Sequence, residues 1–400
     1  MLANECMSAN FTYNYSFDVK FSVLGIVMPS LCAYGLIGSC LSISVFAVRA
    51  NRSAQYTFLL ALCICDIGVL IASFMMSTVQ IIFEQQQNAA LYYVWVSYVR
   101  AIYFLGHLFK ICGIYMTIAA TVERWLVLSN FHITKAMCGL NRPLLWVLSI
   151  FLVCTALFVS KYFEIMVIYR PQCPGFARYM VTRSHLGRNS IYTLVHTVCL
   201  SNMVGIVVPF ITLLSLNIAV TFISINEIKR NMQNARPQVT LYTAAILARW
   251  ENKICQRKRR EANLILIVIV TVFLVCSFPD FILVIFEVVD YSWLENHRDV
   301  YSFCSDVINL LLVTNSAMNF TVFWVFGHEF RKQLRKNAQF VINFIPYCID
   351  QNKLKFLLHK PSKSKTPEFT TEAEIINNCT SVAVVLPQCF LTKCHNSVTI

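Results

Sequence analysis

The 400-residue sequence predicts an all-α membrane protein: a seven-transmembrane helix bundle with a short amphipathic eighth helix. Three observations carry the prediction. Only 13% of residues are charged and 57% are hydrophobic, whereas a soluble domain averages roughly 25% charged. Seven separate segments reach the roughly 20 apolar residues that cross a bilayer. Lys and Arg gather in alternate links between those segments, as they do on the cytoplasmic face of membrane proteins. The net charge of +13 is therefore assigned to cytoplasmic loops and not to a nucleic-acid partner.

In chain order, residues 1–21 form a polar tail without the apolar stretch of a cleaved signal peptide. They carry two Asn-X-Ser/Thr glycosylation acceptors, Asn10 and Asn14. The membrane domain covers 22–325, with spans near 22–48, 56–83, 93–128, 143–168, 192–225, 262–288 and 301–325. Basic residues follow the first span (Arg49, Arg52), the third (Lys135, Arg142), the fifth (Lys229, Arg230 and the run Arg257–Arg260) and the seventh (Arg331, Lys332, Arg335, Lys336). Alternating helices put all of these on one side, which leaves the N-terminus outside. The link after the fourth span breaks the pattern with Arg170, Arg178, Arg183 and Arg188 on the outer face, a candidate ligand surface.

Residues 326–346 read as a basic amphipathic helix lying on anionic lipid of the inner leaflet, followed by Cys348 as a palmitoylation candidate. The tail, 347–400, has the Ser/Thr-rich composition of a disordered, phosphorylatable segment. Most of the 17 cysteines lie inside apolar runs, where thiols behave as small hydrophobes. No zinc spacing and no nucleophile–base set is present, so the sequence implies no metal, no cofactor and no enzyme.

Function is read from ionisable groups inside the apolar spans, which are costly there and usually functional. The third span holds Lys110 near its outer end and the pair Glu123-Arg124 at its inner end. As an α-helix it separates Lys110 from Arg124 by roughly 21 Å. Asp66 lies in the second span, and Asn315, Ser316 and Asn319 lie on roughly one face of the seventh, a set suited to a sodium ion or a proton relay. In the sixth span Pro279 removes a backbone donor and kinks the helix, and Asp280 follows at mid-depth. Lys110 and Asp280 are expected to pair, because either charge alone would cost several kcal/mol; the alternative is that Lys110 reaches Asp66.

Together these residues resemble the rhodopsin-like (class A) G-protein-coupled receptors, and most of all the invertebrate FMRFamide-type neuropeptide receptors. The resemblance rests on "TVERW" at Glu123-Arg124, "LALCICD" ending at Asp66, "IVVPF" around Pro209 and "FLVCSFPDF". It also rests on "KYFE" at Lys161–Glu164 and "NSAMNFTVFWVFGHEFR" after Thr314, and it covers roughly 22–335. It implies that Glu123 holds Arg124 at rest and releases it to a Gα subunit on activation. Phe273, Pro279, Asn319 and Phe323 would be switch residues, and Asp66, Asn315, Ser316 and Asn319 a sodium-type pocket. It further implies a plasma-membrane, multi-pass protein with an extracellular peptide ligand, a heterotrimeric G protein, and arrestin at the phosphorylated tail as partners.

The sequence departs from the family at Ser39, Ser277, Asn217 and Phe323, where relatives carry Asn, Trp, Tyr and Tyr. No Cys stands at the top of the third helix, so Cys173 lacks its usual partner; Cys6, Cys304 or a free thiol are the alternatives. An amidated peptide ending in Arg-Phe would need an acidic acceptor for its guanidinium, for which Glu164, Asp280, Glu287 and Asp306 are candidates beside Lys110. A chemosensory receptor for a small molecule is the alternative within the superfamily. A transporter or channel is the alternative outside it, and would show inverted repeats with broken helices.

Overall fold

The computed structural model describes residues 21–50, 53–129, 142–233, 243–289 and 298–339. Seven of its helices are long and apolar enough to cross a membrane. α1 (Met28–Ala50) is entered through a π-helical stretch, Phe21–Val27. α2 (Ala54–Gln86) contains a π-helical segment at Phe74–Thr78. α3 (Ala89–Leu128) is the 40-residue central helix, and α4 (Arg142–Phe158) is short. α5 (Val208–Gln233) continues a π-helical stretch, Thr193–Val207. α6 (Thr243–Val289) contains Pro279, α7 runs over Arg298–Phe326, and α8 occupies 328–339.

The helix ends follow from local chemistry. Gln87 adopts the left-handed conformation (φ 50°) that closes α2. The next residue, Asn88, caps α3 by accepting hydrogen bonds from the N–H groups of Ala90 and Leu91, both at 3.1 Å. α2 and α3 are thus joined by a two-residue reversal. α6 begins well before the expected 262, because its basic first half keeps helical propensity beyond the apolar span.

The fourth span differs from expectation. An apolar run read as continuous helix to 168 stops at Phe158, makes one more turn at Lys161–Glu164, and becomes extended. β1 (Ile165–Tyr169) pairs antiparallel with β2 (Tyr179–Arg183), in register Val167 opposite Val181. This outer hairpin adds a small sheet to the all-α bundle. Short apolar runs rich in β-branched residues do not distinguish helix from strand by periodicity, and Pro171, Pro174 and Gly175 (φ 58°) supply the turn between the strands.

No cysteine staples the hairpin to α3. Tyr92 and Tyr93 donate their hydroxyls to the carbonyls of Tyr179 (2.7 Å) and Gly175 (3.0 Å). Phe83, Trp95 and Phe176 pack around the Tyr92 ring, with Phe176 at 5.3 Å between centroids. Cys173 is buried and disulfide-bonded, whereas Cys304 is a free thiol. A Cys173–Cys304 bridge is therefore excluded, as is a free Cys173. Cys6, Asn10, Asn14, Cys348 and the tail 347–400 lie outside the described residues.

The main core runs along α3. Ile111, Cys112, Met116 and Ala120 pack with Leu62 and Cys65 of α2, Leu266, Ile269 and Val270 of α6, and Phe323 of α7. Polar bonds cross between helices at Asn217–Thr271 (α5 to α6, 3.1 Å), Tyr34–Thr321 (α1 to α7, 2.8 Å) and Tyr115 to the Val204 carbonyl (3.0 Å).

Candidate ligand cavity and signalling core

An outer cavity of about 520 Å³ opens between α1, α2, α3 and α7. Its wall carries Gln80 and Glu84 from α2, Tyr103 and His107 from α3, and Ser302 and Asp306 from α7. Lys110 lies at its inner end with Val69 and Leu312. The same lysine lines a second, inner cavity of about 50 Å³ that reaches Asp66, Phe273, Asp280, Asn315, Ser316 and Asn319. Lys110, with Val69 and Leu312, therefore borders both spaces, and it is the charged one of the three.

Lys110 Nζ stands 2.9 Å from the Asp280 carboxylate, with the two side chains 22% and 17% exposed. The expected ion pair forms, and Lys110 does not go to Asp66. Asp66 instead accepts a hydrogen bond from Asn319 Nδ2 at 2.8 Å and one from the Ser316 hydroxyl. Asp66 is 4% exposed, Ser316 3% and Asn319 4%, so this cluster satisfies a carboxylate that apolar surroundings would otherwise expel. Asn315 lines the same cavity, and its Oδ1 is buried without a hydrogen-bond partner.

Asp280, next to Pro279, lies on the α6 face that meets Lys110 of α3. Phe273, six residues before Pro279, is buried against the inner cavity. Phe323 carries no hydroxyl and is sunk in an aromatic cluster, edge-on to Phe46 at 4.8 Å and 5.7 Å from Phe330 of α8. An apolar contact between α1, α7 and α8 thus surrounds the residue that the sequence marked as a switch. At the C-terminal end of α3 the Arg124 guanidinium lies 3.6 Å from the Glu123 carboxylate. Both side chains are mostly buried.

The acidic candidates are dispersed. Asp306 lines the outer cavity and Asp280 the inner one. Glu164 is buried beside Lys161, 2.7 Å from its Nζ, at the outer end of the fourth span. Glu287 belongs to the last turn of α6, and its side chain lies outside the described residues. Sequence reasoning missed Glu84, Gln80 and Tyr103 as cavity residues. Glu84 lies just past the expected second span, 56–83; its signal is an acid following "VQIIF" at helical spacing from Gln80, which donates to it at 2.9 Å.

Seven membrane-length helices around buried polar cavities, with an acid–Arg pair at the inner end of the central one, define a multi-pass membrane receptor. The sequence profile of the 7 transmembrane receptor (rhodopsin family) matches residues 39–322, and the chain belongs to that family. It is a family of receptors, not of enzymes, transporters or channels. The FMRFamide receptor of Drosophila melanogaster is 24% identical over 324 residues, a match covering 78% of this chain and 53% of that protein. A probable G-protein coupled receptor of Caenorhabditis elegans, frpr-1, is 21% identical over 345 residues, covering 80% of each chain. The chain thus spans about half the length of the fruit-fly receptor it matches.

Proposed function

We propose that this chain is a plasma-membrane receptor, N-terminus outside, for an amidated neuropeptide of the FMRFamide type. The peptide's C-terminal end enters the outer cavity between α2, α3 and α7. A heterotrimeric G protein is engaged at the cytoplasmic end of α3, where Arg124 leaves Glu123. The observation that carries the reading is the outer cavity itself, whose volume of about 520 Å³ lies in the range of ligand sites and whose inner wall is Lys110. Glu84 and Asp306 give its upper wall acceptors for a peptide guanidinium, the former unforeseen and the latter expected. Lys110 then links the ligand space to Asp280 beside Pro279 of α6, and the inner cavity links both to Asp66 and α7.

Around this core, Asn10 and Asn14 are glycosylated and Cys348 is palmitoylated. α8, with Lys332, Arg335 and Lys336 exposed, rests on anionic lipid. The phosphorylated tail recruits arrestin.

A second reading, a chemosensory receptor for a small molecule, is supported by the confinement of the cavity to one half of the bundle. A calcium or cAMP assay across an amidated-peptide library, in cells displaying the chain, tests the first reading. Responses to amidated Arg-Phe peptides support it. Silence to every peptide at confirmed surface expression overturns it in favour of the second.

A further inference from the structure

The Lys110–Asp280 pair separates two cavities, and its members do not face them equally. Lys110 lines both cavities, whereas Asp280 lines the inner one only. A ligand reaching the bottom of the outer cavity therefore meets an ammonium whose charge is already balanced by a carboxylate 2.9 Å behind it. The remaining ionisable carboxylates on the wall are Glu84 and Asp306, and among the described lining residues Lys110 is the sole Lys or Arg.

These charges treat the two forms of a peptide terminus differently. A free carboxylate would give up its hydration to enter a partly buried site, which is costly unless a counter-charge replaces the water. Here the attraction of Lys110 is weakened by the repulsion of Asp280, one ion-pair length further back, and the acidic wall adds to that repulsion. A carboxamide has no such cost. Its carbonyl oxygen accepts from Lys110 Nζ, and its N–H₂ is free to donate to Ser302, Asn309 or an acidic wall residue.

We propose that the Lys110–Asp280 pair is the specificity determinant for the ligand's terminal group, admitting an uncharged C-terminal carboxamide and rejecting a free carboxylate. This rests on the reading that a peptide terminus occupies the outer cavity. The pair acts by charge cancellation: Asp280 need not touch the ligand, because its role is to neutralise the residue that does.

The test uses the full-length receptor in cells, with surface display quantified, and one matched pair of probes, FMRFamide and the same peptide as a free acid. The quantity read is the ratio of the two potencies. Asp280→Asn leaves the ammonium unbalanced, and the preference for the amide falls at least about tenfold, since an ionised partner strengthens a hydrogen bond by that order. Lys110→Gln leaves the carboxylate unbalanced, and the preference widens. A variant that merely folds badly lowers both potencies together and leaves the ratio alone, so opposite shifts of the ratio identify the charge effect. Displayed variants that keep the wild-type ratio within twofold, or that shift it in the same direction, overturn the inference while the peptide reading stands. A displayed wild-type receptor that ignores both probes and every other amidated peptide of the library overturns the peptide reading itself.

Discussion

Glu261 of α6 accepts a hydrogen bond of 2.8 Å from the backbone N–H of Glu329, in the first turn of α8. The Glu329 side chain in turn lies 3.5 Å from the Arg49 guanidinium, which also donates to the Glu329 carbonyl at 3.2 Å. The C-terminal end of α1, α6 at Glu261 and the start of α8 are thus joined through one residue. The contact uses an unsatisfied N–H at the start of a helix, where a carboxylate is favoured by capping and by the helix dipole. Any outward swing of α6 about Pro279 must break it.

Glu261→Ala is accordingly expected to raise ligand-independent signalling. Loss of a capping acceptor costs about 1 kcal/mol, and if the swung state lacks this bond the resting-to-swung ratio changes by about fivefold. Basal second-messenger output, normalised to receptor at the surface, measures this. A basal output equal to wild type would mean that the contact is not broken on activation.

The Lys161–Glu164 pair leads to a different expectation for a residue that the sequence marked as a ligand acceptor. The two side chains are 6% and 12% exposed and 2.7 Å apart. The Glu164 carbonyl also accepts the Ser184 N–H at 2.9 Å, where the chain returns from the hairpin. Removing one member of a buried pair strands the other, at about 3–5 kcal/mol. Glu164→Gln should therefore depress surface display severely. The double variant Lys161→Met with Glu164→Leu, which leaves no buried charge, should recover it. Peptide potency measured in the recovered variant then separates the two roles of Glu164: wild-type potency assigns it to the scaffold, and a loss of more than about tenfold, some 1.4 kcal/mol, assigns it to the ligand.

How far the sequence could be read depended on whether a feature was local. The spans were legible because a bilayer demands long apolar runs, and the Lys110–Asp280 pair was legible because two opposite charges at similar depth have few other partners. Asp66 and Asn319 were legible for the same reason. The hairpin was not: "IMVIY" continues the apolar character of α4, and the helix ends there through a pairing with β2 that no local signal announces. Glu84 was overlooked because an acid at the end of an apolar run marks a boundary and a cavity wall equally well. Phe323 was read as a missing hydroxyl, whereas its surroundings, Phe46 and Phe330, are distant in sequence and make it the centre of an apolar contact.

The hairpin's attachment to α3 yields a graded expectation. Tyr92→Phe and Tyr93→Phe each remove one hydroxyl that donates to a hairpin carbonyl while keeping the ring packing. Each should cost roughly 0.5–1.5 kcal/mol, and the pair together should loosen the hairpin enough to raise its amide exchange without unfolding the bundle. Cys304→Ala, at a free thiol, should leave both stability and exchange unchanged. Hydrogen exchange of 165–183 in detergent, with thermal melting alongside, distinguishes these outcomes.

Gly68 of α2 faces Phe109 of α3, and the space there is already taken. A Cβ at Gly68 would collide with the Phe109 ring, whereas one at Gly113, also facing the α2–α3 seam, would stand 3.5 Å from Cys65. Phe109 neighbours Lys110 and, at 6.4 Å, the Phe151 ring of α4, so it cannot yield without disturbing the helix that carries the ion pair. Gly68→Ala is therefore expected to destabilise the receptor by the roughly 1–3 kcal/mol typical of overpacking and to weaken ligand potency by displacing Lys110. Gly113→Ala meets only ordinary van der Waals contact and should be neutral or slightly stabilising, since alanine is the better helix former. Melting temperature in detergent and peptide potency, measured for both variants, decide the matter: equal behaviour of the two would show that Phe109 has room to move aside for a Cβ at Gly68.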